Sequence, residues 1–245
     1  MRAVGVIPAR VGAGRFPGKA LAPIAGLPMI RRVFEGAQTA KTLRAVLIAT
    51  DDARIADAAR AFGAEVAMTR PDHATGSDRV AEVARGLDDE IVVDIQGDEP
   101  LIEGFVIDAA VEALQEDPEA PMATVVHAAD PAALGNADRV KVALDRAGHA
   151  LYFSRSPIPA QRSAGAAPRC WQHVGLYAYR RPFLLEFASL ARGPLERAEE
   201  LEQLRALEHG HRIRCAVIEG WSSTPVDAPE DIAAVEAHLT LLGRR

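Results

Sequence analysis

The sequence predicts an α/β protein with a mainly parallel sheet that helices cover on both faces. One observation predicts the parallel sheet, and a second adds an antiparallel hairpin to it. Short runs rich in β-branched residues alternate with longer stretches of helical periodicity along the 245 residues. In the middle of the chain, two strand-like runs flank the tight turn Arg146-Ala147-Gly148, which predicts an antiparallel hairpin. The hairpin argues against an α/β barrel, which a chain of this length could otherwise form.

The first part of the chain supplies most of the alternation. Apolar runs next to turn residues predict strands, and apolar residues three or four positions apart predict helices. The predicted strands are Val4 to Pro8, Ala45 to Thr50 and Ile91 to Ile95, with a further short run at Glu65 to Met68. The predicted helices are Pro28 to Thr39, Ala53 to Phe62, Asp78 to Arg85 and Gly104 to Glu116.

The second part contains the hairpin and ends on a helix. The predicted strands are Val140 to Asp145, His149 to Ser154, Val174 to Tyr179 and Arg212 to Glu219. The predicted helices are Pro182 to Phe187, Glu196 to His209 and Pro229 to Leu242. We expect the proline-containing loop Ser156 to Arg169 to be mobile or to lie against a partner subunit. The sequence contains no long linker and no internal repeat, so we expect one domain over residues 1–245, with residues 138–180 as an insertion.

The composition excludes several classes of protein. With 49% hydrophobic and 25% charged residues, the chain has the profile of an ordinary globular protein. No apolar run reaches the roughly 18 residues of a membrane span, and the apolar start is too short for a signal peptide, so we expect a cytoplasmic protein without membrane insertion. A net charge of −6 argues against nonspecific nucleic-acid binding. Cys170 and Cys215 lack neighbours at zinc-ligand spacing, and we expect both to be reduced.

The loop from Arg10 to Lys19 is the first candidate site. It follows the first predicted strand and holds three glycines and three cations in ten positions. Glycine allows a ligand to approach the backbone N–H groups, and the cations neutralise negative charge, so the loop predicts a polyphosphate site. Its spacing matches neither the P-loop nor the dinucleotide-binding pattern. A flexible surface loop with incidental charges is the alternative.

Two aspartates are candidates for a metal site. The apolar strand Ile91 to Ile95 runs into Gln96-Gly97-Asp98, and Asp98 at the carboxyl edge of the sheet can hold a hard cation such as Mg²⁺. Asp227, before the last predicted helix, can supply a second carboxylate. Because aspartate is also common as a helix cap or turn residue, spacing alone favours the cap for Asp227.

Nine separated motifs resemble those of the 3-deoxy-manno-octulosonate (Kdo) cytidylyltransferases, also called CMP-Kdo synthetases. They occur in order and without large gaps over nearly the whole chain. The motifs are Ile7 to Arg10, Arg15 to Lys19, Pro28 to Ile30, Ala49 to Asp52, Gln96 to Pro100, Tyr152 to Arg155, His173 to Tyr179, Leu201 to Arg205 and Val226 to Asp231.

The resemblance implies a Rossmann-like, nucleotidyltransferase-type fold and a homodimer, with residues 138–180 in the dimer contact. It also implies transfer of CMP from CTP to the acidic sugar Kdo, with release of pyrophosphate, for lipopolysaccharide assembly. By resemblance, the catalytic residues are Arg10, Lys19, Asp98 and Asp227, and the last two hold Mg²⁺. The implied nucleotide-binding residues are Pro8, Ala9, Arg10, Lys19, Arg70, Gly76, Ser77 and Gln96. The implied acceptor-binding residues are Arg15, Gln96, Arg155, His173, Tyr177, Glu202 and Gln203.

Several alternatives stay open at this point. Arg155 could be a strand-end or interface residue, His173 and Tyr177 could belong to the core, and Glu202 could lie on a solvated helix face. A Ser or Asp helix cap before Val80 would explain the segment that contains Ser77. At the level of function, the alternatives are cytidylyl transfer to another acid, such as an amino analogue of Kdo or a phosphonate, and a CTP-binding sensor without turnover.

The sequence departs from the expected family pattern at three places. Val11 to Gly14 is richer in glycine, Ala160 to Arg162 replaces an acidic stretch, and Trp221 to Thr224 stands where glycine is more usual. These departures leave the nucleotide chemistry unchanged but bear on the identity of the acid acceptor.

Overall fold

A computed structural model of the protein describes residues 1–12, 16–160, 162, 169–241 and 243. The chain divides into two compact units, Met1–Asp108 with Ser223–Arg245 and Ala109–Ser222. The assignment of residues 1–245 to one domain, with an insertion at 138–180, stays a prediction. Of the loop Ser156 to Arg169, residues 161 and 163–168 lie outside the described residues.

Strands and helices alternate along most of the described chain. The strands are β1 (Ala3–Ala9), β2 (Pro23–Ile24), β3 (Leu27–Pro28), β4 (Leu43–Thr50), β5 (Glu65–Met68), β6 (Ile91–Ile95), β7 (Met122–Ala128), β8 (Lys141–Leu144), β9 (Ala150–Ser154), β10 (Trp171–Arg180) and β11 (Ile213–Ile218). The α-helices are α1 (Met29–Ala37), α2 (Ala53–Ala61), α3 (Gly76–Ala84), α4 (Gly104–Glu116), α5 (Arg181–Phe187), α6 (Pro194–Glu199), α7 (Gln203–Glu208) and α8 (Asp231–Leu241). Short 3-10 helices cover Lys19–Leu21 and Pro131–Ala133.

A parallel sheet forms the centre of the first unit, with its strands in the order β6, β1, β4, β5. β6 is buried along its whole length and β1 along nearly all of it, which explains why both are almost continuously apolar. Because the four strands run in one direction, their carboxyl ends meet at the same edge. The chain segments that follow β1 and β6 therefore leave the sheet side by side.

Side-chain caps define where two helices of this unit begin. Asp52 accepts the backbone N–H of Arg54 at 2.9 Å at the start of α2. At the start of α3, the Thr75 hydroxyl accepts the N–H of Asp78 and the Asp78 carboxylate accepts the N–H of Thr75, both at 3.2 Å. This reciprocal capping box starts α3 at Gly76, two residues before the predicted start.

The last helix of the chain packs on the first unit through an apolar cluster. Val235 and Leu239 of α8 join Val226, Ile24 and Met29, and all five are buried. The polar segment before α8 is therefore anchored at both ends by burial of apolar side chains.

The second unit is largely antiparallel. β7 pairs in parallel with β11 and antiparallel with β10. The hairpin of β8 and β9 is attached to this sheet because β8 pairs with the start of β10. The pairing of β8 with β9 confirms the hairpin that the sequence predicts. β7 was not predicted, although Ala123 to Val126 is a run of apolar and β-branched residues.

The prediction of one helix from Glu196 to His209 is wrong. Two short helices, α6 and α7, occupy this stretch, and Glu200 between them has a left-handed φ of 52°. The guanidinium of Arg155 donates to the carbonyl oxygens of Glu199 at 2.7 Å and Glu200 at 3.3 Å, where α6 ends. Apolar periodicity does not reveal such a break, because the arginine that stabilises it comes from the segment after β9, about 45 residues earlier in the chain.

A buried ion pair joins α6 to α7. The guanidinium of Arg205 donates to both carboxylate oxygens of Glu196, at 2.8 and 2.6 Å, and stacks over the Phe187 ring at 4.7 Å. Burial alone would raise the pKa of Glu196, but its hydrogen bonds and charge interactions with Arg205 and Arg192 outweigh burial and lower it. The carboxylate is therefore charged inside the unit and depends on its partners.

The described helices are short relative to a bilayer. The longest of them, α4, has 13 residues, whereas a membrane span takes about 20. Within the described residues, none has the length and apolar character to cross a membrane.

Replacement of Arg205 by methionine should destabilise the protein strongly. It leaves the Glu196 carboxylate buried without its main partner, which costs about 3–5 kcal/mol of the free energy of unfolding. Urea denaturation followed by circular dichroism measures this loss. The control is Arg192→Met, which removes an exposed partner of the same carboxylate and should cost about 1 kcal/mol or less. Equal losses in the two variants would contradict the conclusion that Arg205 is the main partner of Glu196.

Candidate active site

A cavity of about 360 Å³ opens at the carboxyl edge of the parallel sheet in the first unit. Its walls come from the segments after β1 and β6, the first turn of α3 and the segment before α8. Cationic and acidic side chains thus share one cavity. Within the described residues, the lining consists of Pro8, Ala9, Arg10, Phe16, Lys19, Ala20, Thr75, Gly76, Arg79, Gln96, Gly97, Asp98 and Asp227.

Lys19 joins the glycine-rich loop to the acidic segment after β6. Its Nζ donates to Asp98 Oδ2 at 2.8 Å and to the carbonyl oxygen of Val226 at 3.3 Å. The loop reaches this position through Gly18, which has a φ of 75° and donates its N–H to Val11 at 2.7 Å. Because Lys19 and Asp98 are both partly buried, water and salt screen their attraction less than at an open surface.

Hydrogen bonds tie the segment that carries Asp227 to the segment that carries Asp98. The backbone N–H of Val226 donates to the carbonyl oxygen of Asp98 at 2.8 Å. Nearby, the Ser223 hydroxyl lies 2.7 and 2.8 Å from the two carboxylate oxygens of Glu99. The Asp98 and Asp227 side chains are thereby held on the walls of one cavity.

Asp231 closes the turn before α8. Its Oδ2 accepts the backbone N–H groups of Asp227 at 2.8 Å and Ala228 at 2.9 Å. Asp231 therefore fixes the backbone of this turn, and the Asp227 side chain lines the cavity.

The first turn of α3 packs closely against the end of β1 and the segment after β6. A Cβ atom at Gly76 would lie 3.3 Å from Pro8 Cγ and 3.5 Å from Gln96 Nε2. Any larger residue at position 76 would therefore displace a neighbour or fill part of the cavity.

Arg79 is a cavity residue to which the sequence analysis assigned no role. It is only 3% exposed, and its guanidinium lies 2.9 Å from Asp51 Oδ1 and donates to the Thr69 hydroxyl. Its position three residues after Gly76 could have revealed it, because residues at this helical spacing share one face.

Most of the predicted nucleotide-binding residues meet at the cavity. Of these residues, Arg70 and Ser77 are the two that do not line it among the described residues. The Ser77 hydroxyl donates to Asp94 at 3.3 Å, and the exposed Arg70 lies 3.5 Å from Asp72. Arg15, predicted to bind the acceptor, lies outside the described residues.

The other predicted acceptor-binding residues, apart from Gln96, lie in the second unit. There, Arg155 is fixed by several segments of the chain. Besides the end of α6, its guanidinium binds the carbonyl oxygen of Ala137 at 3.0 Å, and its backbone N–H donates to the Glu199 carboxylate at 2.8 Å. Arg155 therefore has the structural role of a strand-end residue, in which it holds neighbouring segments together. A ligand-binding role would be additional to it.

His173 is partly buried within a cluster of aromatic rings. Its ring centroid lies 5.4 Å from that of Phe153 and 5.1 Å from that of Tyr177, and its Nε2 is 3.0 Å from the Thr124 hydroxyl. Burial, with a smaller contribution from the charge of His127, lowers the pKa of His173 to about 3. The imidazole is consequently neutral near pH 7 and can exchange hydrogen bonds but supplies no positive charge.

Glu202 and Gln203 lie at the start of α7. One carboxylate oxygen of Glu202 is 3.8 Å from the Arg205 guanidinium. Gln203 is 3% exposed, and within the described residues its Nε2 has no hydrogen-bond partner. Since a buried amide without a partner is unfavourable, the Gln203 side chain is suited to bind a ligand or a water molecule.

Known proteins resemble the chain in sequence and structure. The Cytidylyltransferase family profile matches residues 4–213. A 3-deoxy-manno-octulosonate cytidylyltransferase of Syntrophotalea carbinolica is 50% identical, over 98% of this chain and 99% of its own. An 8-amino-3,8-dideoxy-manno-octulosonate cytidylyltransferase of Shewanella woodyi is 47% identical, over 96% of this chain and 98% of its own.

A solved structure has the same fold as this chain. It is described as CMP:2-keto-3-deoxy-manno-octonic acid synthetase complexed with CTP, and it is 41% identical to this chain. The TM-score is 0.92, and the match covers 99% of this chain and 100% of that one. This confirms the predicted nucleotidyltransferase-type α/β fold. The similarity extends over nearly the full length in sequence and in structure, so this chain belongs to the 3-deoxy-manno-octulosonate cytidylyltransferase family.

Proposed function

We propose that this chain transfers CMP from CTP to 3-deoxy-D-manno-octulosonate, giving CMP-Kdo and pyrophosphate for lipopolysaccharide assembly. The observation that carries the proposal is the cavity in which Arg10 and Lys19 meet Asp98 and Asp227. The name of the relative from Syntrophotalea carbinolica supports Kdo as the acceptor.

The reaction joins two anions, so the cavity must offset their repulsion. The anomeric hydroxyl of the sugar acid attacks the α-phosphorus of CTP, and pyrophosphate leaves. Arg10 and Lys19, from the loop after β1, line the cavity, and they are suited to stabilise charge on the departing pyrophosphate. As in other phosphoryl transfers, most of the rate enhancement would come from positioning and electrostatic stabilisation.

The acidic residues of the cavity fit Mg²⁺. Asp98 and Asp227 offer carboxylate oxygens, the ligand type that this hard cation prefers, and substrate phosphates and water can complete its coordination. When bound, Mg²⁺ would neutralise phosphate charge and lower the pKa of the attacking hydroxyl. Lys19, at 2.8 Å from Asp98, would hold that carboxylate in place.

The acceptor is expected to contact the residues predicted for it in the second unit. Arg155 would face the sugar-acid carboxylate with the N–H groups that its carbonyl contacts leave available. Neutral His173, together with Tyr177, Glu202 and Gln203, would bind hydroxyl groups. The buried Nε2 of Gln203 supports such a role.

We further propose that the protein is a cytoplasmic homodimer whose subunit contact includes residues 138–180. Leu151, on β9 in this range, has 63% of its surface exposed. A single exposed leucine is common on protein surfaces, so the family resemblance carries this part of the proposal.

A second candidate acceptor is the 8-amino analogue of Kdo. The Shewanella woodyi relative that carries this name is 47% identical over 96% of this chain. The two acceptors differ in an amine or a hydroxyl at carbon 8, and both would use the same cations and carboxylates at the nucleotide.

Pyrophosphate release with Mg²⁺ tests these functions together. CTP with Kdo should give the highest kcat/KM, whereas UTP with Kdo or CTP with the 8-amino analogue should be poorer pairs. A preference for the amino analogue would replace Kdo as the acceptor. CTP binding without pyrophosphate release from either acid would favour a sensor without turnover.

Asp98→Asn should lower kcat strongly while the fold is retained. Loss of a metal-binding carboxylate removes several kcal/mol of transition-state stabilisation, about 10²-fold or more in kcat. Steady-state kinetics gives kcat, and thermal unfolding tests the fold. The control is Asp57→Asn, a surface carboxylate of the same unit outside the cavity, which should behave like the native chain. Native-like kcat in Asp98→Asn would mean that the metal binds elsewhere.

Arg155→Met should raise the KM for Kdo far more than the KM for CTP. A charge-assisted hydrogen bond contributes about 1.5–3 kcal/mol, so a rise of about tenfold or more is expected for the acid alone. Because Arg155 also stabilises the end of α6, a lower melting temperature is expected as well. Equal changes in the two KM values would limit Arg155 to its structural contacts.

A further inference from the structure

Asp94 is a buried carboxylate that the proposed reaction leaves unexplained. It lies in β6 with 0% of its surface exposed, opposite Val6 of β1, and it is not among the residues that line the cavity. A carboxyl group at such a position is costly unless donors surround it. An apolar residue would continue the apolar run of β6 without that cost.

Two hydrogen bonds to Asp94 come from Gln96, which lines the cavity, and from Ser77 in the first turn of α3. Gln96 Nε2 donates to Asp94 Oδ1 at 2.8 Å, and the Ser77 hydroxyl donates to Oδ2 at 3.3 Å. Gln96 itself lines the cavity, and the first turn of α3 at Gly76 lies against both ends of its amide. Asp94 therefore acts on the cavity through the Gln96 side chain.

The hydrogen bond to Asp94 determines which end of the Gln96 amide can bind a ligand. A glutamine amide has a donor end and an acceptor end that can exchange places by rotation. Because one N–H of Nε2 is held by Asp94, the amide is fixed with Oε1 as its other end, available to accept from a ligand. The site then accepts a hydrogen bond there and favours a ligand group that donates one.

We propose that Asp94 is a positioning residue that orients the Gln96 amide, so that Oε1 accepts a hydrogen bond from a substrate hydroxyl. The inference rests on the proposed function. The hydroxyl belongs either to the ribose of CTP or to the sugar acid, and the two sources are distinguished by which KM changes.

The main test compares two substitutions at position 94. Asp94→Asn keeps an oxygen for Gln96 Nε2 and turns an amide nitrogen toward the Ser77 hydroxyl, which can accept. We expect both KM values of Asp94→Asn to stay within about twofold of the native values. Asp94→Leu keeps the approximate size but releases the amide, and the KM for one substrate should rise about three- to tenfold, the range of one neutral hydrogen bond. Since the contact is the same in ground and transition states, kcat should change little.

A buried aspartate elsewhere in the first unit provides the control. Asp108 accepts the backbone N–H groups of Lys41 and Thr42 and does not line the cavity among the described residues. Asp108→Leu should lower the melting temperature and leave both KM values unchanged. A structural role for Asp94 alone would give Asp94→Leu this same pattern, and that result would overturn the proposal.

A pair of variants keeps the test valid if Asp94→Leu does not fold. Gln96→Glu places a carboxylate against Asp94, and its KM should rise for the same substrate. In the double variant Asp94→Asn with Gln96→Glu, the asparagine amide can donate to the glutamate, which again leaves an oxygen for the substrate. The double variant should recover about threefold or more of the lost affinity. No recovery would overturn the proposal.

Calorimetry separates this proposal from the proposed function. Dissociation constants of CTP and of Kdo, measured on the native chain and the same variants, test the amide orientation without turnover. An absence of pyrophosphate release by the native chain would count against the proposed function. Unchanged dissociation constants across a folded set of variants would count against the role of Asp94.

Discussion

The contact between Lys19 and Asp98 is the interaction on which the candidate site depends. It joins the glycine-rich loop after β1 to the acidic segment after β6, at the edge where parallel strands end together. The same ammonium group donates to the Val226 carbonyl oxygen, so Lys19 also contacts the segment that carries Asp227. Three segments that are far apart in sequence thus share one lysine, and the cavity forms between them.

Much of the fold could be predicted because apolar periodicity reports burial directly. Gly104–Glu116 and Ile91–Ile95 have the predicted bounds, since α4 and β6 are bounded by clear turn residues. The break between α6 and α7 could not be predicted. It depends on Arg155, a residue distant in sequence, and on the left-handed backbone of Glu200, a residue type that rarely adopts it.

Some residues of the candidate site could be predicted from the sequence, and others could not. Lys19 and Asp98 stand out because charge beside glycine, or at the end of an apolar strand, has few structural explanations. Asp227 was ambiguous, since its segment also contains Asp231, and the sequence does not show that Asp231 is the one that fixes the turn. Arg79 was missed because an arginine inside an amphipathic helix looks like an exposed residue, and only the fold shows that it is buried.

The partial burial of His173 affects how the second unit responds to acidity. With a pKa of about 3, its imidazole keeps the same protonation state while the medium changes from mildly acidic to alkaline. Phe153, one of its ring neighbours, has no ionisable group. These two rings would therefore add no charge beside a bound acid while the medium changes over that range.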